Sequence, residues 1–269
     1  MFRISVLHAT YKSPSSPLKH RDLWLSRAKN PERVEYIFAM NDDDVASITA
    51  TAGALRVLTC ATDDLSTAVQ NWNSAAALST GDVLFVISDD LFPPVTWDEQ
   101  LDGIVHDCEP RARDFAIKVQ DSPYPEDTTL RHPLISRRFY ERFGLFDEAF
   151  RGVYCDNDIT LRAFLFSVIL DGRSVAFEHQ HPHFDSKFGA SASHAEINDI
   201  REYAWGKGVF LHKWSPLHKK LNLNRLTLRR RLTRHTPGSF LRRTLYRLLS
   251  SQLPRAQKVD SDSRSSSSL

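Results

Sequence analysis

Carboxylates and imidazoles are the residues of this chain whose spacing has chemical meaning. The stretch Gly81 to Pro94, GDVLFVISDDLFPP, leads five apolar residues, Val83 to Ile87, into Ser88-Asp89-Asp90. A run this short and this rich in β-branched residues reads as a strand buried on both faces. In open α/β sheets, ligands bind beyond the carboxyl ends of such strands. Two adjacent acids there are costly unless something positive binds them. The usual partner is a divalent cation held by oxygen ligands, its shell often completed by nucleotide phosphates. Asp89 and Asp90 therefore point to a metal and diphosphate site; a solvated turn before Pro93 and Pro94 is the competing reading. Further on, His179, His181 and His183 alternate, so an extended chain sets them on one face. Neutral imidazole is a common ligand beside carboxylates, and a solvated histidine cluster is the alternative. Asp156 and Asp158 fall where a helix begins, with Asp156 at its cap.

Such groups need a scaffold that brings them together. Ile4, Val6 and His8 alternate with Ser5 and Leu7 in a first strand, and a helix is predicted over about Leu18 to Lys29. Val34 to Met40 is a second strand, ending in Asn41-Asp42-Asp43-Asp44, and Arg56 to Thr59 a short third. A helix over Leu65 to Leu78 stops near Gly81, a residue suited to a left-handed helix end. The central strand follows. This order is close to βαβαβ, the pattern of a parallel sheet with helices on both faces. Beyond it the sequence predicts a helix over Trp97 to Cys108, strands over Phe115 to Val119 and His132 to Ser136, and a helix over Arg137 to Arg142. The helix capped by Asp156 runs to about Leu170 and ends at Gly172; Ser174 to His181 is a last strand. His183 to Ala195 reads as a loop, and Glu196 to Gly206 as a helix.

The net charge of +2 hides an asymmetry: fourteen Lys plus Arg and no acid lie between Trp205 and Lys258, so the chain before Trp205 carries a net −11. Three parts are expected. Residues 1–215 form the α/β domain, 216–255 a basic helical extension and 256–269 a disordered serine-rich tail. In the extension, Leu217, Leu221, Leu228 and Leu232 fall on one face, and Phe240, Leu241, Leu245, Leu248 and Leu249 make a second stripe. Its arginines are interleaved with leucines and lack aromatic platforms, which suits an anionic membrane surface better than nucleic acid; a helical pair packed on the body is the alternative. Cys60, Cys108 and Cys155 are odd in number and widely spaced, as reduced thiols are. With no signal peptide visible and no apolar run of membrane-spanning length, a cytoplasmic protein is expected, attached peripherally to the membrane's inner face.

Three blocks together resemble the family 2 glycosyltransferases, the inverting enzymes of the GT-A fold. The first is Asn73, Gly81, the buried strand and Ser88-Asp89-Asp90, similar to the family's approach to its DxD motif. The second is Phe143-Gly144-Leu145-Phe146-Asp147-Glu148 leading to Cys155-Asp156-Asn157-Asp158 and Arg162, similar to the acceptor-side block. Asn41-Asp42 resembles the base-binding segment. The chain departs from the family at Ser88, where the first Asp of DxD stands, at Cys155, where a Glu stands, and at Asp43 and Asp44, where glycine and serine commonly follow.

The resemblance implies an α/β, Rossmann-like GT-A domain that transfers a sugar from a nucleoside diphosphate, UDP above all, to a glycan or lipid-linked acceptor, as in polysaccharide biosynthesis. Asp90 and His181 would hold Mn2+ or Mg2+, with help from Asp89. Asp156 would be the general base, with Asp158 sharing either that role or the cap. Thr10, Tyr11, Asp42, Asn73 and Asp89 would line the nucleotide. The plainer readings stay beside these: Tyr11 a loop aromatic, Asp42 a helix cap, Asn73 a residue that holds a turn. Rival functions are a sugar-nucleotide pyrophosphorylase, disfavoured because His8 to Lys12 offers no glycine, metal-dependent hydrolysis through the three histidines, and a non-catalytic binding module.

Overall fold

A computed structural model describes residues 1–12, 17–60, 67–106, 108–189 and 199–221, with side chains as far as Trp214. Strands β1 (Ile4–Ala9), β2 (Val34–Asn41), β3 (Arg56–Thr59) and β4 (Val83–Ile87) are parallel, with β1 in hydrogen-bonded register against both β2 and β4. They join β6 (Phe115–Gln120), β7 (Leu134–Ser136) and β8 (Val168–Ala176) in one seven-stranded sheet of order β3-β2-β1-β4-β7-β6-β8. Only β7 runs against its neighbours. A separate ribbon pairs β5 (Leu91–Phe92) with β9 (Glu178–His179).

Every side chain of β4 is fully buried, as its unbroken apolar run requires. One face of the sheet is covered by helices α3 (Ala68–Leu78), α5 (Arg137–Phe143), α6 (Cys155–Phe166) and α7 (Ile200–Leu221), whose apolar residues pack on Leu7, Ile37, Leu84 and Ile135. The other face receives α1 (Pro17–Ser26) and α4 (Trp97–Val105), where Trp24 and Trp97 pack on Phe85, Ile117 and Phe177. The period-2 alternation of a strand divides its residues between the two cores. A short helix α2 (Val45–Ala50) follows β2, and its cap is Asp44 and not Asp42.

Several boundaries differ from expectation for identifiable reasons. Gly81 is not a left-handed stop, since α3 ends on extended Ser79. A Cβ at Gly81 would instead meet the Ser5 backbone nitrogen at 2.7 Å, so glycine lets the turn before β4 pass against β1. The α6 helix stops at Phe166, not Leu170: Val168 to Leu170 pair with Phe115 to Ile117, and Gly172 lies within β8. Strand pairing here overrides helical periodicity. Finally, α7 runs on to Leu221, past the end at Gly206 expected for this helix. The rest of the basic extension, the serine-rich tail and residues 190–195 of the expected loop after His183 lie outside the described residues.

Candidate metal and nucleotide site

The acids at the end of β4 part company. They lie in a turn closed by a hydrogen bond from Leu91 N to Ser88 O, from which Asp89 reaches back to β1 while Asp90 reaches to the β7 side. Asp89 accepts hydrogen bonds from His8 Nε2 at 2.8 Å and Thr10 Oγ1 at 3.1 Å. Behind it, His8 Nδ1 lies 2.8 Å from the Tyr36 hydroxyl, which lies 3.2 Å from His20 Nδ1, and His20 Nε2 donates to the Leu91 carbonyl at 3.0 Å. Burial and the neighbouring His8 push His20 down to about 3, so its ring is neutral. A buried relay across β1, β2 and α1 thus fixes Asp89.

Asp90 meets two imidazoles. Its Oδ2 is 3.2 Å from His179 Nε2, and its other oxygen accepts from Ser88 Oγ, which lies 3.0 Å from His132 Nε2. Ligand atoms of Asp90, His132 and His179 all fall within 4.8 Å of one another. Topology produces the convergence. β7 is antiparallel to β4, so the residues just before it, His132 and Pro133, lie beside the end of β4, where Pro133 O accepts from Val86 N. His179 arrives through the ribbon, in register with Leu91. Burial on its own would raise the Asp90 carboxyl; the His179 hydrogen bond and charge, with His132, hold it well below the usual carboxylate range.

The donor chemistry of the trio fits a cation. His132 Nδ1 is 3.2 Å from the Asp121 carboxylate and His179 Nδ1 is 3.1 Å from the Asp121 backbone carbonyl. Both outer partners are acceptors, so each Nδ1 carries a ring hydrogen, and loss of the second proton leaves each Nε2 with a lone pair for a cation. Burial lowers His132 and favours this neutral form. Two lone pairs and an anionic oxygen then face one another, an arrangement that a positive charge relieves. His181 is not one of the three: its Nδ1 accepts from His183 N at 3.1 Å, and it packs 5.2 Å from the His179 ring.

Other expected residues divide. Thr10, Tyr11 and Asp42 follow β1 and β2 at the sheet edge that bears Asp89. Tyr11 is half-buried beneath the Lys12 ammonium, 4.5 Å from its ring, and Asp42 is exposed. Asn73 is elsewhere: its amide exchanges two 3.0 Å hydrogen bonds with the Phe146 backbone, the turn-holding alternative.

The two acids of α6 also separate. Asp158 is fully buried, bonded to Arg162 Nε and Trp214 Nε1 at 2.8 Å and Lys213 Nζ at 2.9 Å. Burial opposes its ionisation, but Arg162 and Lys213 hold it below the usual range. Arg162 in turn donates to the carbonyls of Phe143 and Leu145, so much of the Phe143 to Arg162 block is an internal tie. Asp156 is half-buried, in the first turn and not at the cap, which is Tyr154. Burial pushes its carboxyl up, against Asn157 N–H and the Arg131 charge. Thr160 on the same helix accepts from Leu130 N, which sets that turn beside the segment carrying Arg131 and His132. Tyr154 itself is left-handed, with φ of 71°, a strained state for a tyrosine. Gly206 of α7 sits so close to Val153 that a Cβ would collide with its carbonyl, and this contact braces the turn.

His132 and Asp121 were missed from the sequence. No local pattern marks either, because both matter through strands that meet only in the sheet. His179 was visible as one of three alternating histidines, and its pairing with Leu91 singles it out.

No family model matches the chain, and no curated protein matches it. Among solved structures, TarS of S. aureus (residues 1–349) superposes with a TM-score of 0.50 and 12% identity over 84% of this chain and 76% of that one. Its complex with UDP gives 0.50 and 13% over the same shares. The fold is GT-A. A mannosyltransferase from Pyrobaculum calidifontis, solved with GDP-Man and Mn2+, gives 0.48 and 15% over 65% of this chain, which spans 56% of the length of that protein. At these identities the likeness is one of fold.

Proposed function

We propose that the protein is a metal-dependent, inverting glycosyltransferase of the family 2 kind, taking a sugar from a nucleoside diphosphate, UDP first, to a hydroxyl of a glycan or lipid-linked acceptor. The observation that carries this reading is the convergence of Asp90, His132 and His179 at the carboxyl edge of a parallel sheet, with Asp156 nearby. The UDP complex of TarS, on the same fold, supports it.

Asp90, His132 and His179 would hold a divalent cation, Mn2+ or Mg2+, which supplies the positive charge against which a departing diphosphate is stabilised. Asp89, fixed by His8 and Thr10, and Asp42 and Tyr11 on the same edge would contact the nucleotide. Asp156 takes the acceptor hydroxyl proton as that oxygen bonds to the sugar carbon and the bond from carbon to diphosphate oxygen breaks. Its raised pKa makes it a better base than a solvated aspartate.

Calorimetric titration of UDP with and without Mn2+ tests the proposal. Metal-dependent binding is expected; no metal-dependent binding of any nucleoside diphosphate overturns it. The basic extension is proposed to attach the enzyme to anionic membrane, at about 1 kcal/mol for each engaged charge. No helix among the described residues is long and apolar enough to cross a membrane.

A further inference from the structure

Asp121 is buried, 1% exposed, and it uses two chemically different oxygens on two histidines. Its position explains this. It directly follows β6, which lies between β7 and β8 in the sheet. His132 precedes β7, and His179 follows β8. The Asp121 side chain therefore reaches His132 Nδ1, while its main-chain carbonyl reaches His179 Nδ1. The second carboxylate oxygen is occupied by Lys118 Nζ at 2.5 Å, and that ammonium also donates to Thr129 O at 2.9 Å. Lys118 neutralises Asp121 without competing for the oxygen that faces His132.

We propose that Asp121 is a positioning residue that locks both imidazoles as Nε2 donors, so that the site selects a borderline divalent cation such as Mn2+, Co2+ or Zn2+ over Mg2+ or Ca2+. The inference deepens the proposed function, because it rests on Asp90, His132 and His179 being its cation site. Two nitrogens and one oxygen suit metals that accept imidazole, whereas Mg2+ favours all-oxygen shells and dehydrates reluctantly. An imidazole held in the wrong tautomer offers the cation an N–H in place of a lone pair. An outer acceptor that prevents this typically contributes 10- to 100-fold in affinity.

The test uses the full chain without nucleotide. Mn2+, Co2+ and Mg2+ are titrated calorimetrically into the parent, Asp121→Asn, and the double variant Lys118→Met with Asp121→Asn, and imidazole 15N shifts are recorded in the metal-free proteins. The double variant avoids stranding a buried ammonium, which alone destabilises the fold. In the parent, Mn2+ and Co2+ should bind at least about tenfold more tightly than Mg2+. In a variant that melts like the parent, Mn2+ affinity should fall by about 10- to 100-fold. His132 should lose its pure Nδ1–H tautomer while His179, held by a main-chain carbonyl that the substitution leaves in place, should keep it. Equal affinity for Mg2+ and Mn2+ in the parent overturns the selectivity. A folded double variant with parental Mn2+ affinity and an unchanged His132 tautomer overturns the role of Asp121. Nucleoside diphosphate binding is measured separately, so selective metal binding without it counts against the transferase reading and leaves the present inference standing.

Discussion

Neighbouring carboxylates in this protein do different work, and single substitutions should separate them. Asp90→Asn replaces an anion with an amide that cannot balance a cation, and metal-dependent UDP binding should be lost. Asp89→Asn should be milder, because Asp89 is bonded to His8 and Thr10 and is not one of the three converging ligands. Equal Mn2+ and UDP affinities in Asp90→Asn and the parent would refute the assignment. Asp156→Asn should leave donor affinity near parental while kcat falls by roughly 10²-fold or more. Burial raises the Asp156 pKa in the folded chain, so its ionised form costs the fold free energy above that pKa. The cost fades as pH falls through the folded pKa and is gone below the unfolded value of about 3.9. Asp156→Asn should therefore raise the melting temperature at neutral pH and lose that advantage in acid. Over the same span the parent's kcat should fall at a pH above the usual carboxylate range, as the base takes up its proton. A lower melting temperature for Asp156→Asn at pH 7 would contradict the account.

At the scale of elements, the ties around α6 and α7 brace the turn of helix that carries Asp156. Asp158 joins Arg162, Lys213 and Trp214, and Lys213 also reaches Asp147 at 2.6 Å. Asp158→Asn leaves two buried cations short of their anion and should cost about 3–5 kcal/mol in denaturant unfolding. What remains folded should keep the parental dependence of kcat on pH. A stable Asp158→Asn protein with kcat reduced as far as in Asp156→Asn would reverse the two roles. These elements also show what local sequence conveys. The Asp156 and Arg162 block was legible as a unit. That Asp158 faces inward was not, because its partners Lys213 and Trp214 lie 55 and 56 residues away on α7.

For the whole molecule, charge divides the chain into an acidic body and a basic extension, and the extension's role is open to direct measurement. In liposome sedimentation the full chain should pellet with anionic vesicles, not with neutral ones, and less so as salt rises, since screening shortens the reach of its charges. A chain ending at Ser215 should stay in the supernatant. Identical behaviour of the two chains would make the extension part of the folded body.

Sequence by itself determined the parallel half of the sheet. Val83 to Ile87 is apolar at every position, a pattern that only a doubly covered strand satisfies, and the acids that follow mark its carboxyl end. The split between Asp89 and Asp90, the choice of His179 over His181, and the entry of His132 and Asp121 were decided by tertiary structure alone. Each depends on which strands become neighbours: an antiparallel β7 placed against β4, a two-residue ribbon pairing Leu91 with His179, and β6 lying between β7, which His132 precedes, and β8, which His179 follows. Hydrophobic periodicity records which face of a strand is buried, but not the strand that will lie beside it.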